Sequence, residues 1–419
     1  MTSQPPFDSW FDAYIPKLEN ELLTYLRLET FSGQESLAFS FLENLLETYD
    51  FDYRYQSCDS KLHEHHAYTK NTGHRDSDSI RAEWNPSKKV STRILFNSHI
   101  DVVPIPEEAR AELDVRRIGD WIHGRGACDT KGNLFILLGA LKYMQHAGIS
   151  CNYAVTLDLV SSEETGGNGT LSLLSEPHDY ALAVVFEPTQ LMLHNGHRGC
   201  LTCEIEIVGK GVHMGSDSAG LSAIVVARHI CQALEDLNSA RLVKAREDVS
   251  FKIWKRPIQI NVGKIQGGEW PGSVPERCTI TCNIGFLPNE TLETIEHLIQ
   301  DTANTAIAGY DEATLSFNFE AGLRNKAYLS PQNEYIQRFN LALQAVSETT
   351  RPLPMYAWCA SCDARHYALE AEIPTVIFGA GDLADAHSSN EKISIPEIKS
   401  GILTIVKFLS ENFKEDPNE

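Results

Sequence analysis

Three apolar runs, each closed by a histidine or an acid, constrain this chain most. Residues 92–99 (Thr-Arg-Ile-Leu-Phe-Asn-Ser-His) end at His99, with Asp101 two places on. Residues 153–160 end at Ser161-Ser162-Glu163-Glu164, and residues 180–186 end at Glu187. Short continuous apolar runs of this kind read as strands buried on both faces. A helical pattern over 133–145 separates the first from the second. Strand–helix–strand alternation with polar residues at the strand ends predicts an α/β sheet, and such sheets bind ligands at their carboxyl edge.

The rest of the chain divides around that core. Residues 10–28 and 37–46 have apolar positions at helical spacing, with Pro16 either kinking the first helix or marking its first turn. Residues 56–79 are polar and carry His63, His65, His66 and His74 without apolar periodicity, which predicts an exposed loop or hairpin. After Gly199 the character changes. Residues 201–208, 258–265, 278–286 and 313–319 alternate, and residues 223–237 and 292–308 have the helical pattern. The order β-α-β-β-α-β matches a ferredoxin-like split unit. A helix over 332–347, a strand over 375–379 and a helix over 396–409 then resume the α/β pattern. At 419 residues the chain is too long for one ordinary core. The expected division is a catalytic α/β domain with a mixed sheet in two parts, 1–199 and 323–419. An α+β ferredoxin-like domain, 200–322, is inserted between them.

Composition limits the partners. A net charge of −21 repels phosphate backbones and anionic lipid, so neither nucleic acid nor a membrane is expected. An anionic substrate would need a local basic group. No run of about 18 apolar residues is present, and the first residues lack the basic and apolar parts of a signal peptide. With ten cysteines, that implies a reducing, cytoplasmic setting and free thiols. Cys200 with Cys203, and Cys359 with Cys362, have the spacing of a zinc half-site or a redox pair. Residues 200–208 read as a strand, however, and residues three apart on a strand face opposite ways, so plain thiols are expected.

Five segments carry metal-ligand residues. In Ser98-His99-Ile100-Asp101 the imidazole can bind a metal, and the carboxylate can fix its tautomer from behind. Asp129 sits between glycines in Gly124-Arg-Gly-Ala-Cys-Asp-Thr-Lys-Gly, where a carboxylate can bridge two ions or cap the following helix. Glu163 and Glu164 would repel each other without a cation nearby. Adjacent residues point apart, so one can be a ligand while the other acts as general base. Glu187, in Phe-Glu-Pro-Thr, and His387, in a glycine-rich segment, complete the set. Two histidines and three carboxylates can hold two divalent ions, with one carboxylate left over to move protons. The mixed nitrogen and oxygen donors fit zinc, with cobalt or manganese as alternatives.

In this order the segments resemble the zinc aminoacylase and carboxypeptidase superfamily that includes acetylornithine deacetylase, succinyl-diaminopimelate desuccinylase and carboxypeptidase G. The resemblance covers nearly the whole chain and implies an α/β catalytic domain with an inserted lid that forms the dimer contact. It implies that His99 and Glu187 hold one metal, with Asp101 behind His99. It gives Asp129 as the bridging carboxylate, Glu164 and His387 as ligands of the second metal, and Glu163 as the general base. His213, in Gly-Val-His-Met-Gly, resembles a lid histidine that stabilises the oxyanion, in some members by reaching into the neighbouring subunit. Arg365, in Cys-Asp-Ala-Arg-His-Tyr, resembles an arginine that grips a substrate carboxylate. Four lid positions depart from the family pattern: Asp217, Ser222, Ser273 and Gly285, the last a glycine where an arginine is common.

The expected activity is metal-assisted hydrolysis of an N-acyl amino acid amide. The alternatives are a dipeptidase or carboxypeptidase on the same scaffold and, from another class, a catalytically silent structural relative. The expected substrate is small and carries a free carboxylate, and the expected assembly is a homodimer through the lid.

Overall fold

In the computed structural model of the chain, residues 7–70, 72–73, 76–84, 90–110, 114–175, 179–347 and 353–410 are described; His74 lies outside them. The strands are β1 (Asp52–Gln56), β2 (Ser79–Trp84), β3 (Arg93–His99), β4 (Arg116–Ile118), β5 (Trp121–His123), β6 (Ala154–Val160), β7 (Leu182–Phe186) and β8 (His194–His197). They continue as β9 (Gly199–Val208), β10 (Ile260–Gly267), β11 (Arg277–Phe286), β12 (Thr314–Asn318), β13 (Arg324–Asn325), β14 (Tyr328–Leu329), β15 (Tyr356–Trp358), β16 (Thr375–Phe378) and β17 (Lys392–Ser394). The α-helices are α1 (Phe7–Leu26), α2 (Phe39–Thr48), α3 (Gly132–Ala147), α4 (Asn168–Leu173), α5 (Ala223–Ala245), α6 (Leu292–Ala306), α7 (Glu334–Val346), α8 (Ala364–Leu369) and α9 (Ile395–Ser410). Pro16 lies inside α1.

The large sheet has the order β1-β2-β6-β3-β7-β16-β8-β14, with β15 beside β8. Its centre is parallel: β3 pairs in parallel with β6 and β7, and β16 with β7. The outer strands β2 and β8 run antiparallel to β6 and β16, so the sheet is mixed. Successive side chains of a strand face opposite ways. Ile94 and Phe96 accordingly join the core under α1, α3, α7 and α9, while Leu95 joins the core on the other face with Tyr367 of α8. The four parallel strands therefore open their carboxyl ends on one edge.

The strand β2, Ser-Ile-Arg-Ala-Glu-Trp, alternates, yet sequence reading passes over it. Its Arg81 is buried and forms a bidentate pair with Asp158 of β6, both bonds 2.7 Å. The two residues are directly opposite in register, and the Tyr367 hydroxyl donates to the same carboxylate at 2.9 Å. A buried charge is tolerated when a partner meets it, and that partner lies 77 residues away. The histidine-bearing stretch before β2 also differs from an exposed loop. Thr69 is buried, with its N–H on Asn168 Oδ1 at 2.9 Å and its hydroxyl on the Gly166 carbonyl at 3.2 Å.

The small sheet is antiparallel, in the order β10-β11-β9-β12, with β13 beside β9. Taken with α5 and α6, this is the strand order of a ferredoxin-like unit, with its own apolar core of Leu201, Ile205, Ile230, Ile280 and Ile299. Cys203 points into that core, while the Cys200 thiol is on the opposite side, against Asn283. Ser222 accepts the Val225 N–H and caps α5, a role open to serine and asparagine alike. Among the described residues no helix is long and apolar enough to cross a membrane, and all ten cysteines are free.

Candidate active site

The carboxyl edge gathers the ionisable residues. His99 ends β3 and is buried, with Nδ1 2.8 Å from the Asp101 carbonyl oxygen and Nε2 2.9 Å from Asp129 Oδ1. The carbonyl partner places the proton on Nδ1 and turns Nε2 toward the site. Asp129 Oδ2 lies 3.1 Å from Nε2 of His387, and Glu164 Oε2 lies 3.0 Å from the same nitrogen. Ligand atoms of His99, Asp129 and Glu187 all lie within 4.8 Å of one another, as do those of Asp129, Glu164 and His387. Asp129 belongs to both groups, and Glu163 to neither. A third group, His65, His66 and Glu370, is separate; there His66 Nε2 is 3.0 Å from Glu370, which also faces Lys326.

The backbone is shaped to present these groups. Ser162 and His387 have positive φ of 59° and 58°, sparsely populated for residues with a Cβ. Gly166 and Gly167 turn the chain away after Glu164. A Cβ on Gly167 would lie 2.1 Å from Asp363 Oδ1, and one on Gly166 would lie 2.2 Å from Thr69 Oγ1. Asn133 ties the Asp129 loop to the His387 loop. Its amide donates to the Cys128 carbonyl at 2.8 Å and accepts from the Ala380 N–H at 2.7 Å. Glu391 accepts the Asp129 N–H at 3.4 Å and is itself paired with buried Arg125.

The Asp101 carboxylate lies 3.8 Å from His99 Nδ1 but makes its hydrogen bonds elsewhere. It accepts the Ser32 hydroxyl at 2.7 Å, the Glu163 N–H at 3.0 Å and the Glu164 N–H at 3.2 Å. The Asp101 carbonyl holds His99, while its carboxylate holds the loop that follows β6. Arg365 is buried, with Nη1 on the Cys362 carbonyl and Nη2 on the Gly166 carbonyl, both at 2.7 Å. Nη2 thus fastens the glycine turn, and Nη1 closes Arg365's own segment. His213 is exposed, bridges Ser273 in the connection between β10 and β11, and accepts the Gly215 N–H at 3.1 Å. It contacts none of the clustered residues among those described.

The electrostatics show what the cluster lacks. Burial, then Asp363, pushes Glu163 well above the usual carboxylate range. Burial, then Asp129, does the same to Glu187 and raises Glu164. For His387, burial alone would lower the imidazole, but Asp129 and Glu164 outweigh it and hold it up at about 11. Burial also opposes charge on His99, yet its bond to Asp129 raises it well above its ordinary value. Four carboxylates in one pocket thus hold protons on themselves or on the two imidazoles. Divalent cations would relieve the same repulsion, and neutral imidazole with carboxylate is a zinc-type donor set. The residues present fit two such ions.

Asp363 and Arg198 were missed by sequence reading. Asp363 is buried, its Oδ2 accepting from Thr170, and it is the largest charged influence on Glu163. An acid inside Cys-Asp-Ala-Arg gives no local sign of which loop it will face. A cavity of about 670 Å³ lined by Leu193, His194, Trp254 and Tyr356 shares no residue with the cluster.

The sequence pattern of peptidase family M20/M25/M40 matches residues 95–411. The chain is 26% identical over 338 residues to the N-formyl-4-amino-5-aminomethyl-2-methylpyrimidine deformylase of Bacillus subtilis (strain 168), covering 75% of this chain and 78% of that protein. It is 26% identical over 301 residues to the acetylornithine deacetylase of Myxococcus xanthus, covering 72% of this chain and 75% of that one. In three dimensions the di-peptidase Dug1p of Saccharomyces cerevisiae superposes with a TM-score of 0.74 at 14% identity, covering 96% of each chain, a likeness of fold. The family match takes in every member of both clustered groups, from His99 to His387, and the chain belongs to peptidase family M20/M25/M40, a family of amide-bond hydrolases.

Proposed function

We propose that this chain hydrolyses the amide bond of an N-acyl amino acid, as a deacylase. The observation that carries the reading is the pair of three-residue groups sharing Asp129, with Glu163 beside them and in neither. The deformylase and deacetylase relatives support an acyl group as the part removed.

His99, Asp129 and Glu187 would hold one divalent ion, and Asp129, Glu164 and His387 the other, zinc in this reading. When bound there, the ions supply Lewis-acid polarisation of the amide carbonyl and make a water more acidic. Glu163 takes the proton of the attacking water and returns it to the leaving amine. Its burial and the Asp363 charge favour the protonated form, which readies it for the second transfer. Asp101 and Arg365 keep Glu163 in place from either end of its loop. Residues 200–322 act as a lid, and His213 reaches the oxyanion only through lid closure or from a second copy of the chain. The ten free thiols suit a reducing, cytoplasmic setting.

The test is a panel of N-acetyl, N-succinyl and N-formyl amino acids and dipeptides, scored for released amine with zinc, cobalt or manganese added. Release from an N-acyl amino acid is expected. Glu163→Gln should lower kcat by at least about a thousandfold while metal analysis still finds two ions per chain. Release from dipeptides alone would replace deacylase with dipeptidase. A Glu163→Gln chain with near-parental kcat would remove the general-base assignment.

A further inference from the structure

Arg198 has no work in the mechanism above. Arg198 is the single residue between β8 and β9, where the chain passes from the large sheet to the small one. The preceding His197 is buried, with Nε2 3.0 Å from the Cys362 carbonyl. Cys362 in turn lies in the field of Glu187 and Glu163. The backbone at Arg198 therefore runs past the loop that carries Cys362 and Asp363, at the junction of the two sheets.

Its side chain is anomalous. Nε and Nη1 are closed off from solvent and have no hydrogen-bond partner. No ion pair to Arg198 occurs among the described residues, whereas buried Arg81, Arg125 and Arg365 have Asp158, Glu391 and two carbonyls respectively. Arg198 as a whole is half-buried, but guanidinium nitrogens closed off from water without an acceptor are costly to keep. The fold nevertheless keeps a seat for it. A Cβ built on Gly285 of β11 would lie 2.7 Å from Arg198 Nη1 and 3.3 Å from its Cζ. Gly285 is directly opposite Cys200 in register, and Cys200 is opposite Asn325. Asn325 keeps its own buried Oδ1 without a partner, while its Nδ2 donates to Ser361.

We propose that Arg198, seated over Gly285, is the specificity-determining residue that binds the substrate's free carboxylate. The proposal rests on the amide-hydrolase reading and moves anion recognition from Arg365, whose terminal nitrogens already meet backbone carbonyls, to Arg198. An arriving carboxylate supplies the missing acceptors, and the planar fork suits it bidentately. The carboxylate belongs either to the amine half of the substrate or to its acyl half.

The full-length Glu163→Gln chain, loaded with zinc, is titrated calorimetrically with three probes. N-acetyl-L-alanine has its carboxylate on the amine side, N-methylsuccinamic acid has it on the acyl side, and N-acetyl-L-alanine amide has none. One acid should bind at least about tenfold tighter than the neutral amide, and which acid does so locates the carboxylate. Adding Arg198→Met should reduce that acid to the affinity of the amide and leave the amide unchanged. Gly285→Ala, which displaces the guanidinium without removing it, should have the same effect, and Arg198→Lys should fall between. The unchanged amide affinity separates a lost contact from a misfolded chain. Undiminished acid binding by Arg198→Met, or no preference for either acid in the parent, overturns the proposal. Failure of the wild-type chain to release any amine would overturn the hydrolase reading instead, and the binding result is independent of it.

Discussion

At the scale of single residues, the site behaves as a store of protons that cations would displace. Glu164 and Glu187 are raised from an ordinary value of 4.5 by burial and by Asp129. Their contribution to stability is present at low pH and is lost as pH rises through their folded values. His387, raised from 6.5 to about 11, contributes fully below 6.5 and loses that contribution as pH climbs toward 11. His99 acts in the same direction. Asp129 is lowered and acts oppositely, but only in strong acid. The chelator-stripped chain should therefore lose Tm, from these groups, between about pH 6 and pH 9. Zinc takes the place of those protons, so the rise in Tm on adding it should be larger at about pH 8.5 than at about pH 6. At an ion concentration about 100 times the Kd, the stabilisation is about 2.7 kcal/mol. Scanning calorimetry at the two pH values checks this, and equal increments would contradict the assignment of these residues as ligands.

Among elements, the loop after β6 matters most, because it carries both Glu163 and Glu164 and has no regular structure of its own. It is held at its start by the Ser162 N–H on Glu35 Oε1 at 3.1 Å, in its middle by Asp101, and at its end by Arg365 on Gly166. Asparagine at position 101 keeps the shape but turns an amide NH₂ toward one of these donors. Asp101→Asn should lower kcat about 10- to 100-fold and weaken the hold on the ion near Glu164, with Tm changed little. Turnover and metal content of the purified variant measure both, and a variant with unchanged kcat would show that the loop holds itself. The resemblance puts Asp101 behind His99, and in the fold its carboxylate also accepts N–H groups of the loop after β6. An HxD on a strand has an obvious neighbour in its own histidine. The better partners are N–H groups 62 and 63 residues onward. The four parallel strands, by contrast, are legible. Their apolar runs are local features, as are the acid or histidine ends of three of them, and parallel pairing brings those ends to one edge.

On the scale of the whole molecule, the small sheet leaves one side unfinished. Strand β10 is an edge, paired only with β11, and is largely exposed. Met214, Ile265 and Trp270 stand 70%, 51% and 71% exposed close to it and to His213 in sequence and register. Exposed edges and apolar side chains of this sort invite pairing with another chain. Sedimentation should find a dimer burying on the order of 800 Å² per chain, and Ile265→Lys with Trp270→Glu should shift it toward monomer. A parent chain that sediments as a monomer would remove lid pairing and leave His213 to act by closure within its own chain.

Local pattern suffices for the central strands and main helices, the α/β and ferredoxin-like classes, and the five segments that meet at the carboxyl edge. Periodicity and turn chemistry act over a few residues and are written in consecutive positions. Other features exist only in the folded chain. Arg81 can lie in the sheet because Asp158 meets it, Asp129 is shared because His99 and His387 approach it from two sides, and Arg365 is engaged because Gly166 turns beneath it. Arg198 over Gly285 is of the same kind, a charge and a space supplied by strands 87 positions apart in sequence. The physical reason is that burial and charge pairing depend on distance in space, which the chain settles only by packing.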